Sequence, residues 1–339
     1  MPFLPVGGQA VIEGVMMRSP SKIAVAVRHP DGSLGILEKP FVSITARVKL
    51  LGLPVIRGAI SLFETLYLGI TALNYSAEEA VKETPKLVEA PAAGTGAAVG
   101  AAASGAVTTP MAPMAKRPAS GLGGAAQVMA LAVSFAFGLF LFVVLPAKLT
   151  GWLGFHGRIG FGLIDGLFRL AAFVLYLLLI SQWKEMARVL GFHGAEHKAI
   201  HALENRAPLT PESVQKFPRL HPRCGTSFLF LLVVLSIVMF TIIGKPRGIG
   251  DHLLRVACLP LIAGVAFEFI RISGKYAGQP LVRALIWPGL QFQRLTTREP
   301  DLEMCAVAIA ALERVRGDER VVALEQAGDA ARVEVAFVQ

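Results

Sequence analysis

From Ala125 to Leu145 the chain runs 21 residues without a charge. A helix needs about 20 apolar residues to cross a hydrocarbon core about 30 Å thick. Inside lipid the backbone must satisfy its own hydrogen bonds, so such a run is helical. Three other stretches reach or approach this length. They are about Phe161 to Trp183, with Asp165 and Arg169 near its start, then Phe228 to Ile243, extended backward by Thr226 and Ser227, and about Leu253 to Ile272, with Arg255 and Glu268 inside it. Composition agrees: charged residues make up 17% of the 339 and hydrophobic residues 54%, whereas a soluble domain carries about 25% charged residues. An ordinary water-soluble enzyme and a disordered chain are both excluded. The formal net charge is +9. The basic residues lie between apolar segments, so membrane topology accounts for them and no nucleic-acid partner is expected.

Orientation follows from where Lys and Arg fall. Residues 184–225 carry seven of them, and the two loops expected outside carry Lys148, Arg158, Lys245 and Arg247. The expectation is a multi-pass protein of the cell membrane with both termini and the 184–225 loop cytoplasmic. Met1 to Ala10 lacks the charged start of a signal peptide. Three dispersed cysteines, Cys224, Cys258 and Cys305, imply no disulfide framework and a reducing compartment. Leu53 to Tyr75 is also apolar but contains Arg57 and Glu64. It is either a fifth span, which would move the N-terminus outside, or a helix that lies on the membrane or dips partway in. Arg47 and Lys49 upstream favour the second reading.

The fold expected is a mainly α-helical integral membrane protein. It has about four transmembrane helices, a small N-terminal β element and interfacial amphipathic helices. Residues 1–76 hold the β element and the interfacial helix. There, Ile23–Val27 and Leu34–Leu37 flank Pro30-Asp31-Gly32 as a hairpin, and the Gly7–Gly14 block adds a strand. Residues 77–124, rich in Ala, Gly, Pro and Thr, read as a flexible linker. Residues 125–316 form the transmembrane domain. In its C-terminal part, Leu281–Leu295 reads as an interfacial anchor. A helix opening at Pro300 presents Leu302, Cys305, Ala306, Ile309 and Leu312 on one stripe. Residues 317–339 form a tail.

Four of the seven histidines lie in the 184–225 loop. On a helix, His193, His197 and His201 fall at i, i+4 and i+8 on one face. Two histidines at i, i+4 can hold one divalent cation. Glu196 directly precedes His197, so residues 193–197 read His-x-x-Glu-His, the inverted zincin order in which the glutamate activates water. The alternative is a set of histidines on a solvated helix. His221-Pro222-Arg223-Cys224-Gly225 follows, and His-x-x-Cys is knuckle-type ligand spacing on a tight turn. Imidazole with thiolate favours zinc. Cys224 as a small buried hydrophobe is the alternative there.

Four blocks resemble the YqhQ-like family of uncharacterised bacterial multi-pass membrane proteins, predicted to be metal-dependent enzymes. They are Gly7–Arg18, Phe192–Lys198, His221–Phe228 and Gln293–Pro300. The resemblance implies an inner-membrane protein and a metal-dependent activity, but no substrate.

The metal ligands expected are thus His193, His197, His221 and Cys224, holding a divalent cation, by donor type zinc, with Glu196 as the catalytic base. His201, Glu204, Glu268 and Glu13 are further candidates. Glu204 is otherwise a solvated acid. Glu268 is an intramembrane acid that either serves the site or pairs with Arg271. Asp165 with Arg169 reads as a structural pair, and Arg255 with His252 as interfacial. Two functions compete. One is a metal-dependent hydrolase at the cytoplasmic membrane surface, acting on a lipid-linked or membrane-protein substrate. The other is a non-catalytic scaffold or regulator with a structural metal, which four filled protein ligands would favour. A transporter would need polar residues deep in the spans, and the first and third spans have no charge.

Overall fold

The computed structural model describes residues 6–80, 124–155, 157–222, 224–275 and 279–317. Residues 81–123 of the expected linker, the tail from 318, His156 and Arg223 lie outside the described residues. Four antiparallel strands, β1 (Gly7–Val11), β2 (Gly14–Arg18), β3 (Lys22–Arg28) and β4 (Leu34–Pro40), form one sheet in chain order. The expected hairpin is β3–β4, with Val25 opposite Leu37. The glycine-rich block contributes two strands rather than one. It turns at Ile12-Glu13, where Glu13 takes φ 50°.

The helices follow in chain order. They are α1 (Ile44–Arg47), α2 (Ile56–Glu79), α3 (Gly124–Leu139), α4 (Leu145–Trp152), α5 (Arg158–Ile180), α6 (Lys184–Glu204) and α7 (Pro211–Val214), then α8 (Gly225–Ile243), α9 (Ile249–Ala257), α10 (Leu259–Lys275), α11 (Pro280–Thr296) and α12 (Leu302–Arg316). Lys49–Gly52 is a 3₁₀ turn, and Phe140–Val144 a π turn that joins α3 to α4. α3 belongs to a separate unit, Thr84–Leu139. α2 runs through Glu79, past residue 77 where the linker was expected to begin.

The sheet is apolar on both faces because both are covered. Alternate residues point to opposite sides of a strand. Val15, Met17, Ala24 and Ala26 join one core with Ala195, Ala199 and Leu203 of α6 and Cys305, Ala308 and Leu312 of α12. Met16, Ile23, Val25 and Val27 meet Leu68 and Ala72 of α2 on the other face. Asp301 starts α12 by accepting a hydrogen bond from the Met304 N–H at 2.7 Å. Of the expected stripe of α12, Cys305, Ile309 and Leu312 are buried, Ala306 is half-buried and Leu302 is exposed.

Among the described residues, five helices are long and apolar enough to cross a membrane: Ile56–Glu79, Val128–Trp152, Arg158–Ile180, Gly225–Ile243 and Ile249–Ser273. That is one more than the four expected, the addition being α2. α5 and α8 approach closely because Gly162 faces Thr241 and Gly166 faces Ile237. Small residues serve this purpose where lipid supplies no hydrophobic drive between helices. Phe173 of α5 stacks on Phe292 of α11 at 5.1 Å.

Asp165 and Arg169 pair at 2.9 Å as expected. Arg255 is not interfacial; it is fully buried. Its guanidinium donates to the Gly244 carbonyl at 2.8 Å and lies 3.5 Å from Asp165. Both arginines also stand over the Phe240 ring. One carboxylate thus neutralises part of two buried cations, and removing one member of a buried pair costs about 3–5 kcal/mol. Asp165→Ala should therefore unfold in a mild detergent at clearly lower temperature than the parent. An unchanged thermal midpoint would show that the cluster is not needed for stability.

Candidate metal centre

α6 turns a polar sequence inward. Glu196, His197 and Lys198 are all at most 5% exposed, on a helix whose surroundings are the sheet, α12 and the chain from 219 to 224. Burial is possible because each of these three side chains has at least one fixed partner. Lys198 Nζ donates to the Gln215 carbonyl at 2.7 Å and pairs with Glu299. The backbone at 296–300 lies tightly against the same helix. Arg298 N–H donates to the Leu190 carbonyl at 2.8 Å. A Cβ on Gly194 would come within 2.1 Å of the Arg298 carbonyl oxygen, which is why the motif has glycine there.

His193, His197 and Cys224 converge, each offering a ligand atom within 4.8 Å of the others. His193 Nδ1 donates to the Thr296 carbonyl at 2.7 Å, and its Nε2 is 3.1 Å from Cys224 Sγ. His197 Nδ1 donates to the Arg219 carbonyl at 2.5 Å. Both rings therefore present Nε2 inward, and a carbonyl behind the other nitrogen is how metal-ligating histidines are held. His197 Nε2 is buried without a hydrogen-bond partner, although the thiol lies nearby. An orphaned buried nitrogen beside a thiol and a second imidazole fits a borderline-soft cation such as zinc. Cys224 sits at the N-cap of α8, where Sγ accepts the Thr226 N–H at 3.3 Å. Burial alone would raise the Cys224 thiol, but His197 and the Thr226 hydrogen bonds outweigh it and the thiol is lowered. Burial lowers His197 and takes His221 down to about 4, so neutral rings are favoured at both.

Glu196 lies beside this group. Its carboxyl is pushed up to about 8, chiefly by burial, with Cys224 adding to the rise while His193 and the Gly8 N–H oppose it. Oε2 has no hydrogen-bond partner. Gly8 of β1 lies on the Glu196 side chain, where a Cβ would come within 2.9 Å of its carboxyl carbon. The first strand thus packs on the site through Gly8, a residue of the glycine-rich block that sequence reasoning did not single out.

His221 is placed elsewhere. It belongs to a neighbouring group with His201 and Glu204, whose ligand atoms also lie within 4.8 Å of one another. The fully buried Gln293 of α11 fixes His221 by its backbone. Gln293 Oε1 accepts the His221 N–H at 2.8 Å and its Nε2 donates to the His221 carbonyl at 2.7 Å. A glutamine inside an apolar helix was the signal for it. The remaining candidates stand apart from both groups. Glu268 pairs with Arg57 of α2, whose Nε donates to Oε1 at 2.6 Å, rather than with Arg271 or the metal ligands. Glu13, on its strained turn, pairs with Arg188 at the exposed edge of α6.

The chain belongs to the family described as Protein of unknown function (DUF1385), which matches residues 53–318. It is similar to the Uncharacterized protein YqhQ of Bacillus subtilis (strain 168), with 30% identity over 317 residues that cover 89% of each chain. No solved structure matches.

The contact at Gly194 gives a direct check. Overpacking of this kind typically costs about 1–3 kcal/mol. Gly194→Ala should lower thermal stability by that amount, because a backbone carbonyl must move. A variant as stable as the parent would mean that the 296–300 segment is loosely held.

Proposed function

We propose that this protein is a metal-dependent membrane enzyme, most simply a zinc hydrolase working where α8 begins at the cytoplasmic face. The observation that supports it is the convergence of three donors, His193, His197 and Cys224, beside a buried carboxyl. A catalytic zinc has three protein ligands and one open position, whereas a structural site is filled by four. The scaffold reading drew its strength from a fourth ligand, His221, which groups with His201 and Glu204 instead.

When bound, the cation supplies Lewis acidity and makes water acidic near neutral pH. The chain's own residues do the rest. The Thr296 and Arg219 carbonyls hold the two imidazoles in one tautomer. Glu196 Oε2, buried and without a hydrogen bond, receives a proton and can return it to a leaving group. Gly8 fixes the other side of that carboxyl. The sheet keeps bulk water from this face. Cys224 caps an apolar helix long enough to cross a membrane, so the reacting group sits at the bilayer surface. That position favours a lipid-linked or membrane-protein substrate.

Topology follows the same reading. The sheet and α6 share one core, so they lie on one side of the membrane. Were α2 a full crossing, three spans would separate them and put them on opposite sides. α2 is instead re-entrant. Its start packs at Gly58 against Gly264 and Phe267 of α10, and its second half lies on the sheet. Ser43 and Ile44, on the way in, bond Glu64 halfway along it. Four full spans remain, with both termini and the 184–225 loop cytoplasmic by their basic residues. Single cysteines placed at 155 and 205 in a chain otherwise free of cysteine test this. An impermeant reagent outside intact cells should modify only position 155, and modification at 205 would sink the scheme.

The mechanism rests on Glu196. Glu196→Gln keeps size and hydrogen-bonding reach but removes the base, which contributes roughly 10²- to 10⁴-fold. The variant should insert, fold and hold metal as the parent does, yet fail to complement a strain deleted for its own copy. The paired change His193→Ala and His197→Ala should lose the metal as well. Normal complementation by Glu196→Gln would support the scaffold reading. Loss of metal from Glu196→Gln would make this residue a ligand.

A further inference from the structure

His201 and Glu204 lie on α6 two and three turns beyond His193, at i, i+3 to each other. His221 faces them from the extended chain before α8. The His201 and His221 rings are 4.5 Å apart, and His221 Nε2 is 3.4 Å from Glu204 Oε2. His201 Nε2 donates to the Leu220 carbonyl at 2.9 Å, and His201, Glu204 and His221 each offer a ligand atom within 4.8 Å of the others. His221 is 4% exposed, and both its peptide N–H and carbonyl are held by Gln293. The frame repeats that of the first group. The Arg219 and Leu220 carbonyls, on consecutive residues, each fix one α6 histidine. The two groups share no donor, and the nearest rings across them, His197 and His221, stand 5.8 Å apart.

We propose that His201, Glu204 and His221 form a second divalent-cation site, chemically distinct from the first. Two imidazoles and one carboxylate, without thiolate, suit iron(II), manganese(II), cobalt(II) or zinc, whereas the thiolate of Cys224 biases the first site toward zinc. Three protein donors leave positions open to water or substrate in the second site too. Two cations held side by side on one helix can orient both the attacking and the leaving oxygen of a displacement. That favours an ester, phosphoester or similar acyl or phosphoryl bond as the class of substrate. This role rests on the hydrolase reading above, but the existence of the second site does not. The competing account of the same geometry is a His221–Glu204 hydrogen bond with no metal.

Cobalt(II) separates these accounts, because a thiolate ligand gives an intense charge-transfer band in the near ultraviolet and imidazole with carboxylate does not. Full-length protein in detergent, stripped of metal and re-titrated, should take up about two cobalt ions per chain. Cys224→Ser should abolish the charge-transfer band while visible ligand-field absorption persists. The double variant His201→Ala, Glu204→Ala should keep the band and lose about one ion. Glu204→Gln, which preserves size and hydrogen bonding, should weaken the second ion if the double variant fails to fold. One ion per chain with the band present, and insensitive to Glu204→Gln, would reduce the second group to a hydrogen-bonded pair without metal and overturn the proposal. One ion without the band, lost on changing His201 and Glu204, would sustain the second site and remove the first. No uptake at all would overturn both.

Discussion

Everything in this structure depends on burying a polar helix face without leaving its groups unsatisfied. A buried polar atom with no partner costs about 1–3 kcal/mol. α6 buries a histidine, a glutamate and a lysine and half-buries a second histidine, His193. Each is matched by a group from a distant part of the chain: Thr296, Arg219, Gly8 and Gln215. His197 Nε2 and Glu196 Oε2 of this helix have no hydrogen-bond partner, and both belong to residues of the proposed chemistry. Buried atoms of Asp165, Arg169 and Arg255 also have no hydrogen-bond partner, but they belong to the charged cluster of the apolar helices, not to the donors of this site.

The same requirement organises the layers. A sheet with one apolar face would leave α6 bare, and a sheet with two needs cover on both. β2 and β3 alternate between the α6–α12 core and α2, which ties the N-terminus to the middle and the end of the chain. α2 therefore serves two environments. Its first half packs on α10 through Gly58 and Gly264, and its second half on the sheet. Apolar length alone cannot distinguish such a helix from a complete span. The packing of its second half on the sheet supports the re-entrant reading proposed above.

The two groups on α6 also explain a division within one motif. His221 and Cys224 are three residues apart, a spacing that suits one cation. The turn between them sends Cys224 to cap α8 and leaves His221 clamped by Gln293. The backbone of the turn, not the spacing, decides which histidines each residue meets.

Much was legible in the sequence. The apolar spans, the β3–β4 hairpin and the start of α12 follow from periodicity and turn chemistry, which are local. So does the placing of His193, His197 and His201 on one face, because helical geometry fixes it for any chain that is helical there. Pairings that depend on long-range contact were not legible. Glu268 had a ready partner three residues on, yet it meets Arg57, which is 211 residues away in the chain. Arg255 had the look of an interfacial residue, and its burial depends on Asp165 and the Gly244 carbonyl. The role of Gly8 cannot be read from a glycine-rich strand. It exists only because β1 is laid across Glu196, where any side chain would collide. The sequence alone determined which segments are apolar and which residues can bind a cation, because those are properties of residues and short repeats. Only the tertiary structure decided which donors converge and which acid stands beside them, because that depends on how segments far apart in the chain are packed together.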